Sequence, residues 1–517
     1  MFFAQYYLDC LSQASYLIAD ETTGKAVVVD PRRDVSEYLT DAAAHGFTIE
    51  AVVNTHFHAD FLAGHLELAD RTGAWIGYGQ RAEAEYPIRK LTDGERISLG
   101  DVQLRVLETP GHTPESISVL VYEHADDAVP YGVLTGDALF IGDVGRPDLL
   151  ASIGVTADEL GKMLYDSIQN KLMALPDAVR VFPAHGAGSA CGKNLSTQRQ
   201  STIGEQRATN YACRQMSEER FVELVTAGQP AAPAYFVYDA ILNRKEHGLF
   251  DAAAAPRPLS VEEFMARRAA GAVVVDARSP QDFAPGYLRG AVNVPADGRF
   301  AEQAGMVVGP EQEVVVIAPQ NREEEAVTRL ARIGFDKVGG YLREPEGAFP
   351  ALADEMEQAS RLTADELRRL LDGDEPPLVL DVRNTGEREE GFIEGASHIP
   401  LPSDGVPETA AFFHIANEGG SADTLVRITA RDVPGEIALS RHRMQQGNAA
   451  YRSTLDSVSV AAGDSLAMSP SGLDLTVPVP SDQWRSGDLV PFTLEFRRSG
   501  RVKVLAVVVR PDSASFT

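Results

Sequence analysis

Short apolar runs alternate with amphipathic stretches over the first 250 residues of the chain. Runs rich in β-branched residues are typical of strands, and apolar positions three or four residues apart are typical of a helix that buries one face. The predicted strands are residues 26–30, 49–53, 103–107, 117–122, 131–134 and 179–182, and the predicted helices are residues 35–45, 62–72 and 157–175. This alternation predicts an α/β fold with four layers, in which two sheets lie between two sets of helices.

The pattern breaks at residues 251–258, where four alanines and two prolines provide no amphipathic face. Because proline interrupts helices, we interpret this segment as a linker. A small α/β module follows it, and a shorter stretch of the same kind comes next. Their predicted elements are helices at residues 261–269, which Ser260 can cap, and 364–371, and strands at residues 272–275, 313–317 and 378–380.

From about residue 403 the chain is rich in strand-like runs separated by Gly and Ser. The predicted strands are residues 410–416, 424–429, 473–479, 489–496 and 501–509. A length of 517 residues corresponds to about three or four domains, which agrees with these changes of pattern. The predicted domain bounds are residues 1–250, 257–348, 360–402 and 403–517.

The chain is strongly acidic, with a formal net charge of −28 and a pI near 4.8. Nonspecific binding to nucleic acid or to an anionic membrane needs a basic face, so neither is expected as a partner. No apolar run approaches the roughly 20 residues of a membrane-spanning helix, and no basic segment precedes an apolar core at the N-terminus. The widely spaced cysteines Cys10, Cys191 and Cys213 favour free thiols in the cytoplasm over disulfides.

Side chains of the metal-ligand type are concentrated at the ends of predicted strands. The six are His56, His58, Asp60, His112, Asp137 and His185. The first three come shortly after the strand at 49–53, and each of the others follows an apolar run at a turn that contains Gly or Pro. Because strand ends of two packed sheets can meet at one edge, we expect these side chains to line one metal site.

This arrangement resembles the metallo-β-lactamase fold, in which a THxHxDH segment, a later His, a Gly-Asp and a final His line one cleft. In this chain the segment reads THxHxDF. Phe61 stands where the dinuclear hydrolases of the fold place a histidine for the second metal, and a phenyl ring has no lone pair to donate. The change argues against a two-zinc site of the glyoxalase II type. His56, His112 and Asp137 remain, and such a set suits a mononuclear non-haem Fe(II) oxygenase.

Residues 1–250 resemble the persulfide dioxygenase branch of that fold. The motifs that carry the resemblance are residues 3–7, 14–16, 29–31, 58–61, 109–116, 135–149 and 183–193. It implies oxidation of a low-molecular-weight persulfide, expected to be glutathione persulfide, to sulfite and free thiol with O2 and water at one Fe(II) per chain. Two alternatives stay open: a zinc thioester hydrolase of the glyoxalase II type, and a non-enzymatic sulfur- or copper-handling scaffold. A homo-oligomer also stays open.

Each remaining candidate residue has two interpretations. Around iron, His58, Asp60 and His185 would orient the ligand imidazoles and contact water or substrate, whereas around zinc they could be direct ligands. Arg146 has a planar guanidinium that suits a carboxylate of the thiol carrier, or an ordinary ion pair at the surface. Cys191 could react with sulfane sulfur, or could fill a tight glycine-rich loop.

Residues 257–348 resemble a rhodanese domain, whose catalytic loop follows a strand and begins with a cysteine. Here Ala318 occupies the nucleophile position, and Glu323 and Glu324 would disfavour an anionic persulfide. We therefore expect no sulfur transfer by this module. Residues 360–402 resemble only the first part of a second rhodanese-like module, which is too short to bury a stable core alone.

Residues 403–517 resemble the periplasmic copper chaperones with a Greek-key β-barrel, which bind copper through His and Met. This chain departs from that pattern, because Ser440 stands near the first His position and residues 471–475 contain no His-x-Met. His442 and Met444 remain as neighbours, but two soft ligands on one strand are more often surface residues. We expect a β-rich domain with a structural or assembly-related role.

Overall fold

The computed structural model divides the chain into two compact units, residues 1–361 and 362–517. The residues that the structure describes are 1–149, 155–227, 229, 232–233, 235–251, 256–373, 376–377, 379, 392–393, 408–411, 414–417, 419–430, 433, 437–445, 449–455, 457–467, 473–478 and 489–507. Among these residues, no helix is both long enough and apolar enough to cross a membrane.

Two six-stranded sheets form the centre of the N-terminal part of the first unit. The first sheet runs in sequence order through β1 (Phe2–Leu8), β2 (Gln13–Ala19), β3 (Lys25–Val29), β4 (Thr48–Val53), β5 (Trp75–Gly79) and β6 (Arg89–Leu91). Its strands pair antiparallel from β1 to β3 and parallel from β3 to β6. The parallel strands bring the loops after β3 and β4 to the same edge of the sheet.

The second sheet contains β7 (Arg96–Ser98), β8 (Gln103–Glu108), β9 (Ile117–Tyr122), β10 (Gly132–Gly136), β11 (Arg180–Pro183) and β12 (Ser201–Thr202). Only β10 and β11 pair in parallel, so the loops after these two strands also leave the sheet at one edge. The two sheets share an apolar core that includes Tyr16, Val53, Leu104 and Val119. Burial on both sides explains why the strands read as continuous apolar runs.

Helices cover the outer faces of both sheets. On the first sheet lie α1 (Ser36–His45) and α2 (His65–Thr72), and on the second lie α3 (Ala157–Asp166) with its π-helical continuation (Ser167–Leu172), α4 (Ile203–Thr209), the 3₁₀ turn Tyr211–Cys213 and α5 (Glu218–Thr226). The predicted αββα sandwich is therefore confirmed. The sequence predicts the second helix from residue 62, but α2 begins at His65, because Ala63 forms an antiparallel β-bridge with Arg32 and a bridged residue has extended backbone.

A second α/β layer system completes the first unit. Its parallel sheet has the strand order β13 (Pro258–Leu259), β18 (Val338–Leu342), β17 (Val314–Ile317), β14 (Val273–Asp276) and β16 (Val292–Asn293), while β15 (Tyr287–Leu288) pairs with β19 (Met356–Glu357). The helices are α6 (Tyr235–Leu242), α7 (Val261–Ala269), α8 (Pro280–Phe283), α9 (Phe300–Val307), α10 (Glu323–Arg332) and α11 (Pro345–Ala348), with 3₁₀ turns at Phe349–Glu355. As predicted, Ser260 caps α7, since its Oγ accepts the N–H of Glu263.

The second unit is β-rich. It contains α12 (Ala364–Leu371), β20 (Glu408–Ala411), β21 (His414–Ala416), β22 (Asp423–Ala430), β23 (Ala438–Gln445), β24 (Ala449–Leu455), β25 (Val458–Val460), β26 (Ser465–Ala467), β27 (Leu473–Pro478), β28 (Leu489–Phe496) and β29 (Gly500–Val507). Two four-stranded antiparallel sheets, β20-β27-β23-β24 and β25-β22-β28-β29, enclose a core that includes Leu425, Leu475 and Phe492. The β-rich prediction is confirmed, although the strand predicted at 410–416 is two strands.

Several sequence predictions for the second unit fall on residues outside the described part of the chain. Most of the partial rhodanese-like stretch, residues 380–391 and 394–407, belongs to this group, as do Ser471 and Gly472. The same holds for the side chains of Ser440, His442 and Met444. The predicted loss of copper ligands therefore stays a prediction.

Candidate metal centre

The loop after β4 carries the first group of predicted ligands and is held by Asp30. Asp30 ends β3 with a left-handed φ of 51°, and its carboxylate accepts the N–H and the hydroxyl of Thr55 at 2.7 and 2.9 Å. The same carboxylate lies 3.0 Å from Nε2 of His58. These contacts orient the loop between β4 and α2. Sequence reasoning did not single out Asp30, although an aspartate between a strand and a proline is a signal of a special turn.

The opposite sheet supplies the other candidates. His112 follows β8, Asp137 follows β10, and His185 follows β11, so all three project from strand ends into the cleft that faces His56. All six predicted side chains are buried there. The structure therefore brings the six side chains together at one edge of the sandwich, and their roles as ligands stay a prediction.

His56, His112 and Asp137 form the inner group, in which one ligand atom from each residue lies within 4.8 Å of the others. Nε2 of His56 and Nε2 of His112 are 3.8 and 3.5 Å from Oδ2 of Asp137, and the two rings are nearly perpendicular. Nδ1 of His112 lies 2.9 Å from the carbonyl oxygen of Arg146. Because a carbonyl can only accept, Nδ1 carries the proton and Nε2 keeps its lone pair for the cleft.

The inner group has the properties of a cation site. Among the described residues, Nε2 of His56 and Oδ2 of Asp137 have no hydrogen-bond partner although both atoms are buried. Burial, together with the nearby imidazole of His58, lowers the pKa of His56 well below its usual value, so His56 is neutral and able to coordinate. Burial opposes ionisation of Asp137, but His185 and His56 outweigh it and lower its pKa. A neutral imidazole and a carboxylate fit a divalent metal.

Asp60, His185 and Cys191 form an outer group, whose ligand atoms also lie within 4.8 Å of one another. His185 lies between two carboxylates, with Nδ1 2.8 Å from Asp137 Oδ1 and Nε2 2.8 Å from Asp60 Oδ2. Burial opposes protonation of His185, but the charges of Asp137 and Asp60 outweigh it and raise its pKa well above the usual value. These residues could orient Asp137 or hold a second ion, so both predicted roles of Asp60 and His185 stay open.

Phe61 and His58 occupy the space beside the outer group. The rings of His58 and Phe61 are 4.3 Å apart, and both side chains are buried. Nε2 of His58 is already engaged by Asp30. In this arrangement Nε2 of His58 orients the loop, whereas Nδ1 is buried without a hydrogen-bond partner, so both predicted roles of His58 stay open.

The two candidate substrate-binding residues, Arg146 and Cys191, are both buried in the structure. Of the two interpretations of Arg146, the structure shows the ion pair: its Nε and Nη2 donate to the two oxygens of Asp148 at 2.7 Å, and its Nη1 donates to the carbonyl of Ala190. This guanidinium is buried and its donors are used within the protein. Cys191 is also buried, and burial with the nearby Asp60 and Asp137 carboxylates raises its pKa well above the usual value, which keeps it a neutral thiol.

Sequence reasoning also missed Asn243, which holds the metal-ligand loop from behind. Its Nδ2 donates to the carbonyls of His58 and Phe61 at 2.8 Å, and its Oδ1 accepts the N–H of Ala63 at 2.9 Å. Asn243 lies 180 residues or more from these partners along the chain. No local pattern at residue 243 could have indicated this role, because the contact depends on where α6 ends in space.

Comparison with known proteins places this centre in a family. Residues 8–185 match the model of the metallo-beta-lactamase superfamily. A hydroxyacylglutathione hydrolase from Rhodospirillum rubrum is 30% identical over 230 residues, which cover 44% of this chain and 80% of that protein. The chain belongs to the metallo-beta-lactamase superfamily. A metal-binding site typical of the fold is thus present, and membership of this superfamily of enzymes favours an enzyme over a scaffold.

Other relatives of this chain have names that indicate different activities. The crystal structure of a metallo-beta-lactamase from Staphylococcus aureus subsp. aureus COL is 34% identical with a TM-score of 0.60, and covers 66% of this chain and 98% of that one. Persulfide dioxygenase ETHE1 of Bos taurus is 28% identical, over 41% of this chain and 75% of that protein. The chain spans about half the length, 54%, of a beta-lactamase hydrolase-like protein from Agrobacterium fabrum.

Two further family models match segments of the chain that follow the metallo-beta-lactamase match. Residues 260–342 match a rhodanese-like domain, and residues 394–508 match an LpqE-like model. Within the rhodanese-like region, Ala318 follows β17 and is buried in an apolar cluster that also contains Phe61 and Cys191. A methyl group therefore stands where the resemblance implies a thiol.

We expect no thiosulfate:cyanide sulfurtransferase activity from the full-length chain. Ala318 cannot carry a persulfide, and Ala318→Cys should restore little activity, since the loop guanidinium of Arg322 is already paired with Glu325 and Asp297. The measurement is thiocyanate production by wild type and by Ala318→Cys. A robust wild-type rate that disappears in Cys191→Ser would place sulfur transfer in the N-terminal region and contradict this prediction.

Proposed function

We propose that the protein is a persulfide dioxygenase that holds one Fe(II) with His56, His112 and Asp137. The observation that carries this proposal is the residue at position 61. Phe61 removes one ligand of the usual second-metal set, while Nε2 of His58 is directed to Asp30. Two imidazoles and one carboxylate are left, a set that suits a non-haem iron with open coordination positions.

The reaction would convert a persulfide RSSH, with O2 and H2O, into RSH, sulfite and two protons. The metal would supply adjacent open positions, which bring the terminal persulfide sulfur and dioxygen together. The protein's part is to hold the donor atoms. The Arg146 carbonyl fixes the tautomer of His112, and His185 holds Oδ1 of Asp137, which leaves Oδ2 for the inner group. Glutathione persulfide is the proposed substrate.

The relative named persulfide dioxygenase ETHE1 supports this proposal, whereas hydroxyacylglutathione hydrolases at 30% identity support a second candidate. That candidate is a zinc thioester hydrolase, and a specific observation favours it. Asp60, His185 and Cys191 form a second group of donor atoms, so the Cys191 sulfur, deprotonated on binding a metal, could replace the imidazole that Phe61 removes. Occupancy of this outer group by a metal separates the two candidates.

We expect about one iron per chain and oxygen uptake only when a persulfide is present, because a single three-donor group would hold the metal. The measurement is metal analysis of anaerobically purified protein together with oxygen consumption on glutathione persulfide. Two tightly bound zinc ions with rapid hydrolysis of S-lactoylglutathione would overturn the proposal and select the hydrolase. Cys191→Ser is the matched variant, because it should lower metal content only if the outer group holds an ion.

For the compartment, we propose the cytoplasm. All three cysteines, Cys10, Cys191 and Cys213, are buried and unpaired with one another. Free thiols of this kind are typical of proteins in a reducing compartment, where small thiols that could carry a persulfide also occur.

A further inference from the structure

Two crossed ion pairs connect the rhodanese-like region, residues 260–342, to the metal-binding region, residues 8–185. Nε and Nη2 of Arg332 donate to the two carboxylate oxygens of Asp34 at 2.8 and 2.7 Å. The neighbouring Arg33 is almost fully buried, and its Nη2 donates to Asp336 at 2.8 Å while its Nε donates to Glu67 at 3.1 Å. Each side of the contact thus presents one arginine and one aspartate to the other.

The same contact reaches the metal-ligand loop directly. The backbone N–H of Leu62, the residue after Phe61, donates to the carbonyl oxygen of Arg332 at 2.8 Å. Nη1 of Arg33 donates to the carbonyl of Ala331 at 2.9 Å. These two carbonyls lie at the C-terminal end of α10, where a helix has carbonyl groups without intrahelical partners. The metal-binding region therefore satisfies the end of a rhodanese-like helix through the loop that carries His56 and His58.

A second path runs through α6. Tyr235 at the start of this helix donates its hydroxyl to the carbonyl of Asp60 at 3.1 Å. Its ring lies against Gly305 of α9, where a Cβ atom would come within 2.4 Å of the ring. At the other end of α6, Asn243 bonds three backbone groups of the same loop. The α6 helix, which packs against α9 of the rhodanese-like region through Tyr235, thus supports the loop from a second direction.

We propose that the rhodanese-like region, which lacks its nucleophile, serves to hold residues 54–63 in the conformation that presents the metal ligands. Arg332 and Asp34 are positioning residues of this contact. A metal site binds tightly when its ligands are already in place, and a loop held only by its own ends would have to be ordered on binding. The inference applies to a dioxygenase and to a hydrolase, so it does not rest on the proposed reaction.

The test is Arg332→Gln in the full-length protein. We expect affinity for Zn²⁺, measured by competition with a chromophoric chelator, to fall about tenfold, the size of effect seen when a group that orients ligands is lost. In the metal-free protein, amide hydrogen exchange should increase in peptides that cover residues 54–64. Arg289→Gln is the matched control, because Arg289 pairs with Glu357 and both side chains are exposed. This control should leave both quantities at their wild-type values.

If Arg332→Gln does not yield folded protein, Asp34→Asn with the same two measurements decides. Unchanged Zn²⁺ affinity and unchanged exchange at residues 54–64 would overturn the inference. Exchange that rises uniformly over residues 1–361 would also overturn it, since the contact would then contribute only to general stability.

Discussion

Substitution of His112 or Asp137 by alanine is expected to abolish metal binding and turnover while the protein stays folded. Each change removes one of the donor atoms that lie within 4.8 Å of the others in the inner group. Loss of a group that merely orients a ligand costs about 10–100-fold in metal affinity, so loss of a ligand should cost at least ~100-fold. The measurements are metal content and persulfide-dependent oxygen uptake, with circular dichroism to verify folding.

His124→Ala is the matched control, because His124 is exposed in the connection between β9 and β10, at the opposite end of β10 from Asp137. It should retain wild-type metal content and turnover. Wild-type oxygen uptake by either His112→Ala or Asp137→Ala would show that the assignment of the inner group as the metal site is wrong. Retained metal without turnover would instead indicate that the outer group binds the ion.

The second large effect is expected for Asp30→Ala, a change at a residue that contacts no predicted ligand atom of the inner group. Its carboxylate accepts from the N–H and hydroxyl of Thr55 and lies beside Nε2 of His58, all of them buried. Each buried donor left without a partner costs about 1–3 kcal/mol, so the free energy of unfolding should fall by roughly 3–5 kcal/mol. Denaturant unfolding of the metal-free protein measures this change.

Glu50→Ala provides the comparison, because Glu50 pairs with Lys25 at the surface and exposed pairs contribute about 0–1 kcal/mol. We also expect Asp30→Asn to be milder than Asp30→Ala, since an amide oxygen can still accept one of the hydrogen bonds. Equal losses in Asp30→Ala and Glu50→Ala would mean that the loop after β4 does not depend on Asp30.

Sequence periodicity predicted the strands and most helices within a few residues, because burial imposes the pattern locally. The strand predicted at 117–122 is β9 without any difference, and the helix predicted at 261–269 is α7 with its cap at Ser260. The errors lie at ends where tertiary contacts compete with helical hydrogen bonds. At residue 63, an antiparallel bridge to Arg32 holds the backbone extended, so α2 begins only at His65.

The six candidate ligands could be named from the sequence, because metal-ligand side chains at strand ends form a local signal that survives without coordinates. The partners of these ligands could not be named in this way. For Arg146 the sequence left a substrate carboxylate and an ion pair as alternatives, and only the structure shows the pair with Asp148 and the contact with the Ala190 carbonyl.

What the sequence by itself determined is the type of chemistry: two histidines and a carboxylate at strand ends, a phenylalanine at position 61, and an alanine at position 318. Only the tertiary structure decided how these groups are held. Arg332 meets Asp34 across 298 residues of sequence, and Asn243 reaches the loop across 180. Such contacts arise where packed layers meet, so their energy depends on the whole fold, whereas the periodicity of a strand or helix depends only on its neighbours in the chain.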